Sequence, residues 1–159
     1  MRRLFFFSAV FNFFPVYVTK VNVKNMTENF KPKITLFHCI NAFSESDELL
    51  LNGNPACEIK TVKMACSSMV KDVFLLRAFE AGADAVIVMV CPEGQCRHIE
   101  GNLRAKKRVA WVGDLLDEIG LDHRRLSLVH MTAGDQAAVI QTMNDVVKKL
   151  AELGPNPAV

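Results

Sequence analysis

The chain has 159 residues, half of them hydrophobic, which is enough to build one domain with its own core without help from a disulfide or a metal. Its 19 lysines and arginines nearly balance its 17 aspartates and glutamates, which argues against a nucleic-acid-binding protein, because such proteins usually need a concentrated basic surface. Five cysteines, an odd number, do not resemble a small secreted disulfide scaffold and favour reduced thiols in a cytoplasmic protein.

Residues 1–32 form an N-terminal extension. Its opening, MRRLFFFSAVFNFFPVYV, resembles a signal peptide or membrane anchor, but the apolar stretch contains Asn12 and Pro15 and is shorter than the roughly 20 residues of a membrane-spanning helix. Membrane attachment is therefore not favoured, and no Ala-x-Ala-like cleavage site follows. Three interpretations stay open: a mis-assigned start with Met26 as the initiator, a membrane-associating tail, and a secretion signal.

Residues 33–155 alternate short apolar runs with segments of helical periodicity and are predicted to form one domain. The predicted strands are Lys33–Cys39, Glu58–Cys66, Asp84–Val90 and Leu126–Met131. Parallel neighbours need crossover helices, so strands that alternate with helices predict an α/β fold. The expected architecture is a small open parallel four-stranded sheet with helices on both faces.

Four helices are predicted between and after these strands. The first covers Asp47–Leu51 behind a capping-box-like Ser44, the second ends at Gly82, and the third is expected to have Asn102 as its cap. The residues expected to face the core are Val70, Val73, Phe74, Ala78 and Ala81 on the second helix, Val109, Val112, Leu116 and Ile119 on the third, and Val139, Met143, Val146, Val147 and Leu150 on the last.

Three cysteines occupy equivalent places in this scheme. Cys39, Cys66 and Cys91 each stand at the carboxyl end of a predicted strand, and in an open parallel sheet these ends share the edge where ligands bind. Cys96 follows Cys91 on one loop and can fold back to the same edge. The remaining cysteine, Cys57, lies at the amino end of the second strand and is interpreted as a packing residue.

Four converging thiols predict an iron–sulfur or zinc centre. Pro92 and Gly94 turn the loop between Cys91 and Cys96, so that backbone N–H groups can point at the sulfurs, and the start of the next helix also favours thiolates. No Cys-x2-Cys zinc knuckle is present, which favours a [2Fe–2S] cluster held by Cys39, Cys66, Cys91 and Cys96. The alternative is that these are ordinary buried cysteines at strand ends.

Two further groups lie near the predicted centre. His98 is either an additional cluster ligand or, as is more usual, a solvent-facing residue. A basic run beside the site is able to steer an acidic partner, although such a run is commonly a solvated helix face. The run consists of Arg104, Lys106, Lys107 and Arg108.

The segment FEAGADAVIVMVCPEGQC, followed by IEGN and RAKKR, resembles the delta subunit of methyl-viologen-reducing (F420-non-reducing) hydrogenase. The resemblance extends from about Lys33 to Pro155. It implies a small iron–sulfur electron carrier with a [2Fe–2S] cluster and no substrate site of its own. Its implied partners are a hydrogenase or formate dehydrogenase on one side and a protein like the A subunit of heterodisulfide reductase on the other, in methanogens and related anaerobes.

The sequence departs from the family pattern at two places. The pattern Cys-Asn-Trp-Cys is replaced here by Cys39-Ile-Asn-Ala42, and the residues after the last cysteine are Arg97-His98 instead of His-Tyr. The chain is therefore interpreted as a divergent member, and if the missing cysteine is normally a ligand, the cluster is altered or lost. Two other functions stay open: a thiol-based oxidoreductase using Cys91 and Cys96, and a cluster-free docking module.

Overall fold

The computed structural model of the protein describes residues 30–51 and 55–158, so nearly all of the predicted N-terminal extension, including Met26, lies outside the described residues. Four strands and four α-helices alternate in the part of the chain that it describes. They are β1 (Lys33–Cys39), α1 (Glu45–Leu51), β2 (Glu58–Met64), α2 (Asp72–Glu80), β3 (Ala85–Val90), α3 (Gly101–Glu118), β4 (Leu126–His130) and α4 (Gln136–Leu153).

The strands form one parallel sheet in the order β2-β1-β3-β4. Helices α1 and α4 pack on one face, and α2 and α3 pack on the other. β3 lies inside the sheet and is buried along its whole length, whereas the edge strand β2 is largely exposed and carries charged residues. The predicted α/β fold, with a four-stranded open parallel sheet covered on both faces, is confirmed.

This strand order creates a crevice between the carboxyl ends of β1 and β3. The chain runs from β1 outward to β2 and then crosses back over β1 to reach β3. In open α/β sheets, ligands bind at the point where successive connections diverge in this way. β1 ends at Cys39, and Cys91 directly follows β3, so both cysteines stand at this crevice.

The start of α1 contains a buried carboxylate that connects two loops. Asp47 accepts hydrogen bonds from the backbone N–H of Ser44 and from the N–H of Gly134, both at 2.9 Å, the latter in the loop between β4 and α4. Burial acts to raise the pKa of Asp47, but the hydrogen bonds from Gly134 and Ser44 outweigh it and hold the pKa below its usual value. Asp47 therefore fastens the two loops in its ionised form.

A buried arginine fastens the C-terminal segment at the opposite, amino edge of the sheet. Arg125 is 4% exposed, and burial lowers its pKa. Nearby, the carboxylate of Asp84 accepts the backbone N–H groups of Lys33 at 2.7 Å and of Asn156 at 2.8 Å. The guanidinium of Arg125 donates hydrogen bonds to the carbonyl groups of Asp84, Leu121, Leu153, Gly154 and Pro155.

The core-facing stripe predicted for the second helix is confirmed at Val70 and Ala78 and wrong at the other three positions. Val70 is fully buried, although it precedes α2, and Ala78 packs against the core, whereas Val73 and Phe74 are 41% and 42% exposed and Ala81 is exposed. Leu75 and Phe79 face the core instead. The helix has only nine residues, so the periodicity was compatible with either stripe, and the packing against β3 and α3 decides between them.

The stripes predicted for the third and fourth helices are confirmed except at one position. Ile119 is 68% exposed because α3 ends at Glu118 and Ile119 forms its cap. The residues that face the core are Val109, Val112 and Leu116 on α3 and Val139, Met143, Val146, Val147 and Leu150 on α4. Within the described ranges, the helices are too short or too polar to span a membrane.

Candidate metal centre

The two cysteines of the crevice lie in contact. Cys39 and Cys91 are 1% and 2% exposed, and their Sγ atoms are 3.8 Å apart. Cys39 also reaches the end of β2, because its Sγ lies 3.9 Å from the carbonyl oxygen of Ala65. From the other side, the side-chain amide of Asn41 donates to the same sulfur at 3.8 Å.

The other two predicted ligands meet on the α3 side of the crevice. Cys66 follows the end of β2 and caps the short 3₁₀ turn Ser67–Met69, where its Sγ accepts the backbone N–H of Ser68 at 3.4 Å and the hydroxyl of Ser68 at 3.3 Å. Cys96 lies in the loop between β3 and α3 and is partly exposed. Its thiol interacts with that of Cys66. The fold therefore gathers all four predicted cysteines at one edge of the sheet.

Gly101, the first residue of α3, allows this close approach. A Cβ atom at this position would clash with Sγ of Cys66 and would lie 3.1 Å from Sγ of Cys96. The φ angle of Gly101 is outside the left-handed region, so a glycine is required here for space and not for backbone conformation. The spacing of the cysteines does not single out Gly101, although a glycine at a helix start soon after a cysteine is a usable signal.

Asn102 does not cap the third helix, contrary to the prediction. Glu100 occupies the cap position, and Asn102 lies within the first turn of α3 with 1% exposure. Its side-chain amide donates to the carbonyl oxygens of Cys91 at 3.1 Å and of Pro92 at 2.9 Å. Asn102 thus ties the start of α3 to the loop that carries Cys91 and Cys96.

Backbone N–H groups favour the ionised form of Cys96. Burial acts to raise the pKa of its thiol, but the N–H groups of His98, Asn102 and Gly101, together with the thiol of Cys66, outweigh burial and hold the pKa below its ordinary value. Gly94 has a φ of 76°, which shapes the turn that brings Cys96 back, as the loop sequence predicts.

The environment of Cys91 opposes ionisation. Burial raises the pKa of its thiol to about 12, and the neighbouring sulfurs of Cys39, Cys96 and Cys66 add to the effect. The sulfurs lie as two pairs, Cys39 with Cys91 and Cys66 with Cys96, and all four can be thiolates at once only if a positive charge lies among them. The donor set, the inward N–H groups and the space kept open by Gly101 therefore fit a thiolate-bound metal centre.

The remaining residues of interest take other places. Cys57 is 3% exposed at the amino end of β2, where burial raises its pKa to about 11. His98 is exposed, and its N–H, not its ring, faces Cys96. The Nδ1–H of His130 donates a hydrogen bond at 3.0 Å to the carbonyl oxygen of Cys91. Ala42 is fully buried, and its N–H donates to the carbonyl of Cys39 at 2.9 Å.

The centre opens to solvent on the side of Cys66. A cavity of about 350 Å³ is lined there by Cys66, Gly101, Met69, His98 and Arg104, among others. A larger cavity of about 520 Å³ lies between β1, β2 and α2, and the four cysteines do not line it. We connect the smaller cavity with the chemistry of the site because Cys66, a candidate metal ligand, lines it.

Comparison with known proteins finds a matching family and two kinds of relative. The family model for the delta subunit of methyl-viologen-reducing hydrogenase matches residues 34–154. The iron-sulfur D subunit of the vhu F420-non-reducing hydrogenase of Methanocaldococcus jannaschii is 34% identical over 99 residues, which is 62% of this chain and 74% of the relative. The iron-sulfur D subunit of the vhc enzyme of Methanococcus voltae is 30% identical over 132 residues, 82% of this chain and 92% of the relative.

A second kind of relative is much longer than this chain. The A subunit of the ferredoxin/F420H2-dependent CoB-CoM heterodisulfide reductase of Methanosarcina acetivorans is 38% identical over 97 residues, which is 61% of this chain but 12% of that protein. Fold and site together define a small parallel α/β domain with four thiols gathered at the carboxyl edge of its sheet. The chain belongs to the methyl-viologen-reducing hydrogenase delta subunit family.

Proposed function

We propose that the protein is an iron–sulfur electron-transfer subunit that holds a [2Fe–2S] cluster through Cys39, Cys66, Cys91 and Cys96. The observation that carries this proposal is the convergence of the four thiols from separate points of the chain. When bound, such a cluster accepts and donates single electrons. The protein itself has no catalytic residue in this proposal and serves as a non-catalytic subunit of an oxidoreductase complex.

The residues around the sulfurs support this role. Ser68 donates to Cys66, and Asn41 donates to Cys39, so each of these sulfurs has a polar hydrogen-bond donor. Donors of this kind, together with burial, set the potential of iron–sulfur centres. Asn102 holds the loop that carries Cys91 and Cys96 against the start of α3.

The relatives suggest the partners. In the heterodisulfide reductase of Methanosarcina acetivorans, a segment similar to this chain is part of the A subunit polypeptide. Domains that are fused in one polypeptide in one organism commonly occur as separate, interacting chains in another. We therefore propose that the protein relays electrons between hydrogenase or formate dehydrogenase subunits and a partner like the A subunit of heterodisulfide reductase, in the cytoplasm of an anaerobe.

Anaerobic reconstitution with iron and sulfide tests the cluster. We expect about two irons per chain, visible absorption and an electron paramagnetic resonance signal after reduction. Changing any one of Cys39, Cys66, Cys91 or Cys96 to serine should lower the iron content, while Cys57→Ser, the matched control on a buried cysteine outside the centre, should not. A wild-type chain that stays colourless and free of iron contradicts the proposal.

One observation favours a second candidate, a thiol-based oxidoreductase. The pKa of the Cys96 thiol is lowered, as for a nucleophilic cysteine at a helix start. However, Cys91 contacts Cys39, and Cys96 interacts with Cys66, so a disulfide within either of these pairs would compete with one between Cys91 and Cys96. Thiol titration of the iron-free chain and mass mapping of any disulfide test this candidate. A cluster-free docking module instead predicts a stable complex without metal.

A further inference from the structure

The opening beside Cys66 is surrounded by an exposed, partly apolar surface. Met69 is 53% exposed, Ile99 84% and Leu103 40%. Met69, His98 and Arg104 line the opening itself, together with Gly101 and Cys66. Ile99 lies in the adjoining turn, and Leu103 lies in the first turn of α3. We call the surface made by Met69, Arg97, His98, Ile99, Leu103, Arg104 and Lys107 the rim surface, in which Lys107 stands one helical turn after Leu103 on α3.

Ile99 adopts a conformation that its own packing does not explain. Its φ is 61°, in the left-handed region that β-branched residues avoid. A strained residue is normally held by buried contacts, but this side chain points largely into solvent. The backbone turn thus presents an isoleucine outward, next to the N–H groups of His98 and Gly101 that face Cys96.

The rim surface is also positively charged. Residues 97–108 carry five lysines and arginines and one carboxylate, Glu100, although the whole chain has a net charge of only +2. Two of these cations are occupied: Lys106 pairs with Glu93 at 2.8 Å, and Arg108 donates to the carbonyl groups of Ser68 and Val70. The other three, Arg97, Arg104 and Lys107, have exposed side chains, and of these Arg104 forms a longer ion pair. Arg104 lies 3.8 Å from Glu100, and Arg97 and Lys107 make no ion pair with the described residues.

We propose that the rim surface docks an acidic redox protein whose contact surface has an apolar centre surrounded by carboxylates. Ile99, Met69 and Leu103 would fill the apolar centre, and Arg97, Arg104 and Lys107 would meet the carboxylates. This rests on the proposed electron-transfer function and extends it, since it assigns the side of Cys66 and Cys96 as the side of electron exchange. Exposed charges of this kind raise association rates and weaken with salt.

Electron transfer to an acidic flavodoxin, followed by anaerobic stopped flow, tests the docking surface. For the reconstituted wild-type chain, we expect the second-order rate constant to fall about tenfold or more between about 20 and about 500 mM salt. The double variant Arg97→Glu/Lys107→Glu should be slower by about tenfold at low salt and should lose most of the salt dependence. The matched control Lys148→Glu/Lys149→Glu, on exposed positions of α4, should stay within about twofold of wild type.

The variant Ile99→Gly separates docking from stability. Glycine adopts a positive φ without strain, so the free energy of unfolding should stay equal or rise. The rate of electron transfer should nevertheless fall several-fold, because the apolar contact is lost. If Ile99 has only a structural role, the rate stays at the wild-type value in this variant.

Two readouts distinguish failure of the docking proposal from failure of the proposed function. Iron content and visible spectrum are measured for each variant, and binding of the flavodoxin to the chain as purified is measured by titration calorimetry, which needs no iron. The docking proposal is overturned if the iron content is normal but neither the electron-transfer rate nor the binding of flavodoxin changes with salt or in Arg97→Glu/Lys107→Glu. Loss of iron from the wild type overturns the proposed function, while charge-dependent binding still upholds the surface.

Discussion

Replacing Gly101 by alanine is the sharpest test of the site. The added methyl group would clash with Sγ of Cys66, and it would stand 3.1 Å from Sγ of Cys96 and 3.6 Å from Cβ of Ser68. Metal–ligand distances tolerate deviations of only about 0.2 Å. The displacement needed to relieve the clash is several times larger, so we expect Gly101→Ala to lose most of its iron.

The cost in folding stability should be small by comparison. Overpacking typically costs about 1–3 kcal/mol, and the better helix propensity of alanine returns about 0.5–1 kcal/mol. The net loss should therefore be about 0.5–2 kcal/mol, which a domain of ordinary stability survives. Urea denaturation of the iron-free chain measures this loss, and iron analysis with visible absorption after reconstitution measures the site.

Gly113→Ala is the matched control, because it places the same substitution on the same helix. A Cβ at this position would meet only Cβ of His123, at an ordinary 3.6 Å. We expect normal iron and unchanged or slightly higher stability. If Gly101→Ala binds about two irons per chain with the wild-type spectrum, the close approach of Cys66 and Cys96 to α3 is not part of a metal centre.

Three further predictions concern stability and thiol chemistry. Asp47→Asn should lower the free energy of unfolding at pH 7 by about 1–3 kcal/mol. The pKa of Asp47 in the folded chain lies below the unfolded value of about 3.9, so this difference between the two proteins should shrink as the pH falls through and below that value. Arg125→Met should cost at least about 3 kcal/mol in urea denaturation, because five carbonyl groups lose their donor, yet leave the iron content unchanged. In the iron-free chain at pH 8, iodoacetamide should modify Cys96 first and the buried Cys57 and Cys91 last, as followed by peptide mass spectrometry.

Each of these has a result that would contradict it. A difference between wild type and Asp47→Asn that is constant from pH 7 to pH 3 would mean that the carboxylate is not ionised in its loop contacts. Near-wild-type stability of Arg125→Met would mean that the C-terminal segment does not depend on the guanidinium. Rapid modification of Cys57 would show that its thiol is not buried as described.

The sequence predicted most of the fold because its strongest signals are local. The apolar run of β3 and the single inward stripe of α4 each have one way to be buried, and both agree with the structure. Helix α2 is short enough to offer two stripes, and the choice of Leu75 over Phe74 depends on contacts with other elements. The role of Asn102 was missed for the same reason, since its partners lie about ten residues earlier in the chain.

The gathering of the cysteines also followed from the sequence, through the rule that parallel strands end at one edge. What the pattern did not contain is how the thiols pair. Cys39 meets Cys91 because β1 and β3 are neighbours, and Cys96 meets Cys66 because α3 packs on the turn after β2. Such pairings depend on strand order and on the helix start at Gly101, which only the folded chain reveals.

The pairing of β1 with β3 sets the relative positions of the two most deeply buried candidate ligand sulfurs, those of Cys39 and Cys91. His38 stands opposite Met89, so Cys39 lies one residue before Cys91 in this register, and the two Sγ atoms come within 3.8 Å. Deleting or inserting one residue within either strand would displace one sulfur by about 3.3 Å and turn it to the other face. We therefore expect natural length variation in this family to fall in the loops and helices, and the stretch from Ile34 to Cys39 to keep its length even where its residues change.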